Sequence, residues 1–414
     1  MKKIIVIGGG AAGMMAAIHA STGNEVILIE KNEKLGKKLY ITGKGRCNIT
    51  NAAPRSDFFE GIVHNKKFLY SSFDRFSNDD VCRALEEWGL EIKTERGDRV
   101  FPASDKSSDV IKTLQKKLED QNVRIMLNTC VTGLITDEEG HVCKGVIANG
   151  KKIYADAVIV ATGGLSYPST GSCGDGYRFA AETGHAVTKL FPSLTGFVCS
   201  EEFVEGLSGI SLKNISICIK DDEIEGAKKG NYMRMGEVMF THKGISGPLM
   251  LTLSAYLARA KNWPKKIYID FKPAIPYEEL DKKIIRYAEE GSRQSIKNAF
   301  AKLLPVKLLE CVIRAAGLDM EMKAGELSKK QRAALTGTLK GMELTLTGLC
   351  GYNEAVVTSG GVDVGMIDPK TMESKKVKGL YFAGEVLDLD ALTGGFNLQI
   401  AWSTGAAAGI HAGE

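Results

Sequence analysis

The chain has 414 residues, beyond the size at which a single hydrophobic core usually stops growing, so two domains are expected. Apolar residues make up 44% and charged residues 25%, ordinary for a soluble globular enzyme. A formal net charge of +4 with no basic tail gives no electrostatic case for nucleic acid, and none is expected as a partner.

Met1-Lys2-Lys3 precedes only Ile4-Ile5-Val6-Ile7, too short for the apolar core of a signal peptide. No stretch approaches about 18 uninterrupted apolar residues, so a cytoplasmic protein without membrane association is expected. Ile4 to Ile7 reads as a strand. It runs straight into Gly8-Gly9-Gly10-Ala11-Ala12-Gly13 and an Ala-rich helical stretch from Met14 to Ser21, the setting in which Gly-x-Gly-x-x-Gly marks a dinucleotide site. Gly8 permits the tight turn, Gly10 lets backbone amides reach a pyrophosphate, and Gly13 lets helix and strand pack closely. A second strand, Glu25 to Ile29, ends at Glu30, about 20 residues after Gly8, where a carboxylate can accept ribose hydroxyls and would repel the 2′-phosphate of NADP.

Leu39 to Asn51 is a Gly/Thr/Asn-rich loop carrying Lys44 and Arg46. Helices are predicted at about 66–76, 78–88 and 107–121, the second with an N-cap in Ser77-Asn78-Asp79-Asp80. The period then changes to two over 124–136, 141–148 and 151–154, separated by Asp137-Glu138-Glu139-Gly140 and Asn149-Gly150. Ala157 to Gly164 is a buried strand ending in small residues. Thr162 and Gly163 are therefore placed near a ligand, although Thr-Gly-Gly also serves as a plain turn.

Short strands at 197–199, 215–219, 237–240 and 267–271 predict a small β-domain, and 277–340 is helical. Strands return at 343–348, 355–357 and 379–385, and a last helix spans Leu398 to Ala412. This order predicts an α/β protein with a Rossmann-like domain split over 1–190 and 344–414. The insert covers 191–343, a β-barrel to about 275 followed by helices.

The nine cysteines form no Cys-x-x-Cys pair and no His/Cys cluster, so no metal site is expected. Cys47 lacks the nearby second cysteine that a flavin disulfide reductase needs. A reduced flavin carries negative charge around N1 and the C2 carbonyl, which a helix N-terminus can stabilise. Gly394-Gly395-Phe396-Asn397 at the head of the last helix supplies one, with Glu385, Asp388 or Asp390 reaching ribityl hydroxyls.

Four strings together carry a resemblance: Gly8-x-Gly10-x-x-Gly13 with Glu30, Thr42-Gly43-Lys44-Gly45-Arg46-Cys47-Asn48, Phe240-Thr241-His242-Lys243-Gly244-Ile245-Ser246-Gly247-Pro248, and Gly384-Glu385 leading to Gly394-Gly395-Phe396-Asn397-Leu398-Gln399. Over essentially the whole chain it resembles the BaiN/YhiN-type bacterial NAD(P)/FAD-dependent oxidoreductases. The resemblance implies non-covalent FAD on a glutathione-reductase-like dinucleotide domain, with an inserted β-barrel and helical unit. It also implies NAD(P)H as transient reductant and, in some members, reduction of a conjugated double bond in 3-oxo bile acids. By similarity, Gly10, Ala11, Ala12 and Gly13 hold the pyrophosphate and Glu30 and Lys31 the adenosine side. Lys38, Gly45, Arg46 and Asn48 hold the middle of the cofactor, Val131 meets adenine, and Glu385, Asn397 and Leu398 meet ribityl and flavin, flanked by Gly384, Gly395 and Phe396. Thr393 departs from the pattern, standing where relatives often have Cys.

No second strand-Gly-x-Gly-x-x-Gly-helix unit follows, although Thr170 to Gly176 is another Gly-rich loop. Nicotinamide would therefore bind only briefly over the flavin. The expected reaction passes hydride from NAD(P)H through flavin N5 to the β-carbon of a hydrophobic enone, with His242 and Tyr352 as candidate acids. Two rivals stand beside it: an amine or alcohol oxidase that uses O₂, and a flavin-containing binding or RNA-modifying factor.

Overall fold

Ile4, Ile5, Val6 and Ile7 are stiff, apolar and buried on both sides, the signature of a strand inside a parallel sheet rather than at its edge. The computed structural model, which describes residues 1–224 and 231–414, places them in β1 (Lys3–Ile7). β1 pairs in parallel with β2 (Glu25–Ile29), and β2 with β3 (Arg124–Met126). Of the remaining strands of this unit, β4 (Val131–Thr136), β5 (Cys143–Ala148) and β6 (Lys151–Tyr154) form an antiparallel meander. β7 (Ala157–Val160) and β8 (Leu380–Phe382) complete a five-stranded parallel sheet of order β8-β7-β1-β2-β3. The stretch 124–136, one period-two run by sequence, is thus divided between sheet and meander.

Helix α1 (Ala11–Ala20) follows β1, and α2 (Phe396–Gly413) ends the chain. The two lie backbone to backbone because their facing residues are small. A Cβ on Gly405 would stand 2.4 Å from the Ala12 carbonyl oxygen, and one on Gly409 2.2 Å from that of Ala16. Glycine at a four-residue spacing on one helix thus meets alanine at the same spacing on the other. The predicted N-cap at Ser77 is present: Ser77 Oγ accepts the Asp80 N–H at 3.2 Å and Asp80 Oδ2 accepts the Ser77 N–H at 2.9 Å, opening the helix Asn78–Glu87.

The chain divides into two units, Met1–Ser193 with Gly351–Glu414, and Leu194–Cys350. In the second, six strands close a barrel in the order 197–199, 244–246, 231–240, 211–220, 265–270, 342–349. Ile217, Ile219, Ile267, Ile269, Leu344 and Leu346 fill its interior by alternation. Helices Tyr277–Glu290, Ile296–Ala299, Val306–Ala315 and Lys329–Lys340 belong to the same unit.

Both expected boundaries move. Phe191–Ser193 pairs with Val357–Ser359 in the first unit, whereas Met342–Leu349 closes the barrel against Lys265–Asp270 and Phe197–Cys199. The alternation of buried Met342, Leu344 and Leu346 is that of an antiparallel strand with one buried face, unlike the continuous apolar run of β1. Among the described residues no helix is long and apolar enough to cross a membrane.

Candidate functional site

The first glycine loop contains glycines of two kinds. Gly8 has φ +104° and a Cβ there would lie 2.5 Å from the Ala161 carbonyl oxygen, while a Cβ on Gly13 would lie 1.8 Å from that of Gly8. The fold itself demands both. A Cβ on Gly10 would meet nothing within 4 Å. Gly10 is the N-cap of α1, no side chain caps it, and Met14 N–H is bonded to the Gly10 carbonyl at 2.9 Å. The amides of the first turn therefore face open space, as a pyrophosphate requires.

Glu30 closes this loop from the other side. Its Oε2 accepts the Gly9 N–H at 2.7 Å, and Oε1 accepts the Asn32 N–H at 2.8 Å and Nδ2 at 2.7 Å. The carboxylate is buried yet satisfied, with a lone pair of Oε2 left for a hydroxyl. Lys31 Nζ lies 2.8 Å from Asp175 Oδ2 and 2.7 Å from Cys173 Sγ. Burial works against its charge, but the hydrogen bonds to Asp175 and Cys173 prevail and raise its pKa. The Gly-rich loop before Asp175 is thus docked on the chain segment that follows β2. Val131 is buried at the start of β4, opposite Ala148.

Lys38, Ser166 and Glu385 converge from three distant parts of the sequence. Lys38 Nζ donates to Glu385 Oε2 and to Ser166 Oγ, each at 2.6 Å, and the Thr358 N–H donates to Glu385 Oε1 at 2.9 Å. Gly384, just before, donates its N–H to Thr404 Oγ1 of α2 at 2.9 Å. Nearby loops leave two buried oxygens, Asn48 Oδ1 and Thr162 Oγ1, without a hydrogen-bond partner among the described residues. A bound ligand could supply the hydrogen bonds these two oxygens lack.

At the head of α2, Gly395 has φ +101°, and a Cβ there would stand 2.3 Å from the Thr50 carbonyl; no side chain caps the helix. Asn397 turns back to the chain: Oδ1 accepts the Ala391 N–H at 3.0 Å, and Nδ2 donates to the carbonyls of Ala391 at 2.8 Å and Leu392 at 3.1 Å. The Phe396 ring rests 5.0 Å from that of Phe58. Arg46 is held by Glu95 and Asp105, whose hydrogen bonds raise its pKa, and lies 4.1 Å over the Phe101 ring. The side chains of these three are engaged by the protein, so backbone amides are what this part of the chain presents. Leu398 follows in the first turn of α2, half-buried, and Gly45 and Gly163 both have positive φ. Cys47 is fully buried, and desolvation pushes its thiol up to about 12 despite a hydrogen bond from Thr42.

The candidate acids fall in different units. His242 is exposed in the turn after the barrel strand Asn231–Phe240, and Tyr352 is half-buried in the first unit, its carbonyl accepting the Tyr167 N–H at 3.1 Å. Neither side chain has a hydrogen-bond partner among the described residues. A pairing that motif reading missed is His64 Nδ1 at 2.7 Å from Asp390 Oδ1, with the two side chains 11% and 1% exposed. Asp390 carried a signal through its place before Gly394; His64 carried none. Among the described residues no group of three or more His, Cys, Asp or Glu is placed to hold a metal.

Two uncapped helix starts, the open space at Gly10, a ribose-side carboxylate and two orphaned oxygens fit FAD. The HI0933-like protein Rossmann domain matches residues 2–411. The 3-dehydro-bile acid delta(4,6)-reductase of Clostridium scindens is 31% identical over 100% of both chains. The ribosomal RNA dihydrouridine synthase of Escherichia coli is 30% identical over 97% of this chain and 95% of its own. Among solved structures, the 3-ketosteroid-delta4-(5alpha)-dehydrogenase of Rhodococcus jostii RHA1 matches with a TM-score of 0.53 at 15% identity, over 100% of this chain and 97% of that one. At that identity it shows a shared fold.

Proposed function

The chain belongs to the HI0933-like Rossmann family, and from that premise we propose that it is an FAD-dependent oxidoreductase that saturates a carbon–carbon double bond conjugated to a carbonyl. The substrate we assign is a hydrophobic enone of the 3-oxo-steroid class, with NAD(P)H as the transient reductant.

One observation carries this reading. The bile-acid reductase matches the chain end to end, and the RNA relative, matched nearly as fully, is named for the same net change. Dihydrouridine is uridine with two hydrogens added across C5=C6, a bond conjugated to the C4 carbonyl. Both names thus describe hydrogenation of a polarised alkene. The near-neutral charge favours a small apolar molecule over a polyanion. The identity to the RNA enzyme supports a second reading, in which the alkene is a uracil base.

FAD, when bound, supplies a hydride carrier. The chain's own tasks are then to hold and polarise. The first-turn amides of α1 would hold the pyrophosphate, Lys38 and Glu385 would meet the ribityl hydroxyls, and the head of α2 would stabilise charge on the pyrimidine part of the ring. A helix N-terminus stabilises an anion there by about 0.3–1 kcal/mol at exposed sites and up to about 2 kcal/mol when partly buried.

The test is spectroscopic. Anaerobic addition of NADH or NADPH should bleach the flavin band, and 4-androstene-3,17-dione or a uridine-containing RNA oligonucleotide should restore it, the effective probe naming the substrate class. A spectrum unchanged by every addition would overturn the reading.

A further inference from the structure

Saturating a polarised alkene takes an acid as well as a hydride. As hydride reaches the β-carbon, the π pair moves toward the α-carbon and the carbonyl oxygen, and a proton must arrive at the α-carbon. Among the described residues, His242 and Tyr352 have no hydrogen-bond partner to orient them. His64 has one.

We propose that His64 is the proton donor of this reaction and that Asp390 is its positioning residue; the assignment rests on the double-bond reduction proposed above. Asp390 is a carboxylate withdrawn from water, its side chain 1% exposed, and such a group persists only with fixed partners. Its Oδ1 lies 2.7 Å from His64 Nδ1 and accepts Ser359 Oγ–H at 3.2 Å. The backbone repeats the attachment. The Asp390 carbonyl accepts the N–H groups of Val63 at 3.0 Å and His64 at 3.3 Å, Ile62 and Ala391 form an antiparallel bridge, and Asn65 Nδ2 donates to the Asp388 carbonyl at 2.6 Å.

These bonds tie the segment that carries the imidazole to the chain that opens α2, where the flavin would sit in the proposed reading. The segment that grips His64 is the same one Asn397 holds through Ala391 and Leu392, and it leads directly into the uncapped head of α2. Nδ1 against a carboxylate fixes the orientation of the ring and sets Nε2 on its far side from Asp390.

In the step assigned to it, the N–H bond at His64 Nε2 breaks and a C–H bond forms at the α-carbon. The hydride electrons end in the new C–H bond at the β-carbon, the carbonyl is restored, the flavin is left oxidised, and the neutral imidazole recovers a proton from water. The acceptor is the same for a steroid enone and for a uracil ring.

The experiment uses FAD-loaded protein reduced anaerobically with light and EDTA, so that no nicotinamide is needed. It is then mixed with 4-androstene-3,17-dione or a uridine-containing RNA oligonucleotide. H64Q should slow reoxidation by about 10²- to 10⁴-fold, the usual contribution of a positioned acid, with flavin content and reoxidation by O₂ unchanged. H64G should regain rate on addition of imidazole. Independently of turnover, the ring N–H proton bonded to Asp390 should appear far downfield in the NMR spectrum of the wild type, vanish in H64Q and shift in D390N. Reoxidation of H64Q at the wild-type rate overturns the assignment and leaves the reduction standing. A wild-type enzyme that neither probe reoxidises overturns the reduction, and the assignment falls with it.

Discussion

Gly405 and Ala12, separated by almost the whole chain, approach so closely that a single added carbon on Gly405 would stand 2.4 Å from the Ala12 carbonyl oxygen. Ala12 lies in the first turn of α1, whose amides face the open space at Gly10, and Gly405 lies two turns and more into α2. The register of these two helices therefore sets where the two uncapped helix starts stand relative to each other. No shared hydrogen bond is needed: the absence of side chains along 405 and 409 is itself the alignment device.

Gly405→Val should therefore act on stability and cofactor together. Overpacking a tight contact costs typically about 1–3 kcal/mol, and here the obstruction is backbone, which yields least. The expected result is a melting temperature lower by several degrees and reduced flavin per chain at 450 nm. Full flavin at wild-type stability would show that the helices tolerate separation.

Gly10 should behave in the opposite way. Its φ of −83° suits any residue and a Cβ meets nothing within 4 Å, so Gly10→Val should fold with a stability within about 1 kcal/mol of wild type, the scale of an N-cap change. It should nonetheless purify colourless, because the branched carbons occupy the approach to the α1 amides. Gly13→Ala, whose Cβ would lie 1.8 Å from the Gly8 carbonyl oxygen, should fail to yield folded protein. A yellow Gly10→Val protein would mean that the pyrophosphate lies elsewhere.

What the sequence revealed of this molecule was local in character. β1, the glycine turn and Glu30 lie within one short segment, and a buried parallel strand shows as an unbroken apolar run. The barrel is less legible because its long strands break their own alternation. Asn214 adopts φ +54° where the 211–220 strand shifts register, and Met233 and Met235 of the 231–240 strand are 70% and 64% exposed. The expected boundary at 343/344 cuts through Met342–Leu349, whose partner strands 265–270 and 197–199 lie some seventy and some hundred and fifty residues earlier. The His64–Asp390 pair had no local signature at all, since only the folded chain brings the two together.

The cysteines should sort by burial. Cys47 sits inside the Gly-Lys-Gly-Arg-Cys-Asn string with its thiol pushed up to about 12, so at pH 8 it offers almost no thiolate and no access. Exposed Cys130 and Cys173 should react first with iodoacetamide in the native protein, as read by peptide mass spectrometry. Fast modification of Cys47 in folded protein would contradict its place in the core.

His19 gives the fold a pH dependence of defined sign. It lies in the last turn of α1, where the helix dipole favours a cation, yet burial, with the positive charge of Lys117, lowers its pKa to about 4. Its Nε2 has no hydrogen-bond partner among the described residues, and its ring meets Phe76 edge-on at 5.0 Å. The native state thus holds this imidazole neutral, while the unfolded chain takes up the proton near pH 6.5. Between these values the unfolded state binds more protons, so stability rises with pH. The contribution is complete above pH 6.5, is lost as pH falls toward 4, and amounts to on the order of 3 kcal/mol across that window. Urea unfolding of the wild type and of His19→Phe at pH 7.5, 5.5 and 4.5 should show the variant gaining on the wild type as the solution is acidified. A difference between the two that stays constant with pH would mean that His19 takes up its proton as readily in the folded protein as in the unfolded chain.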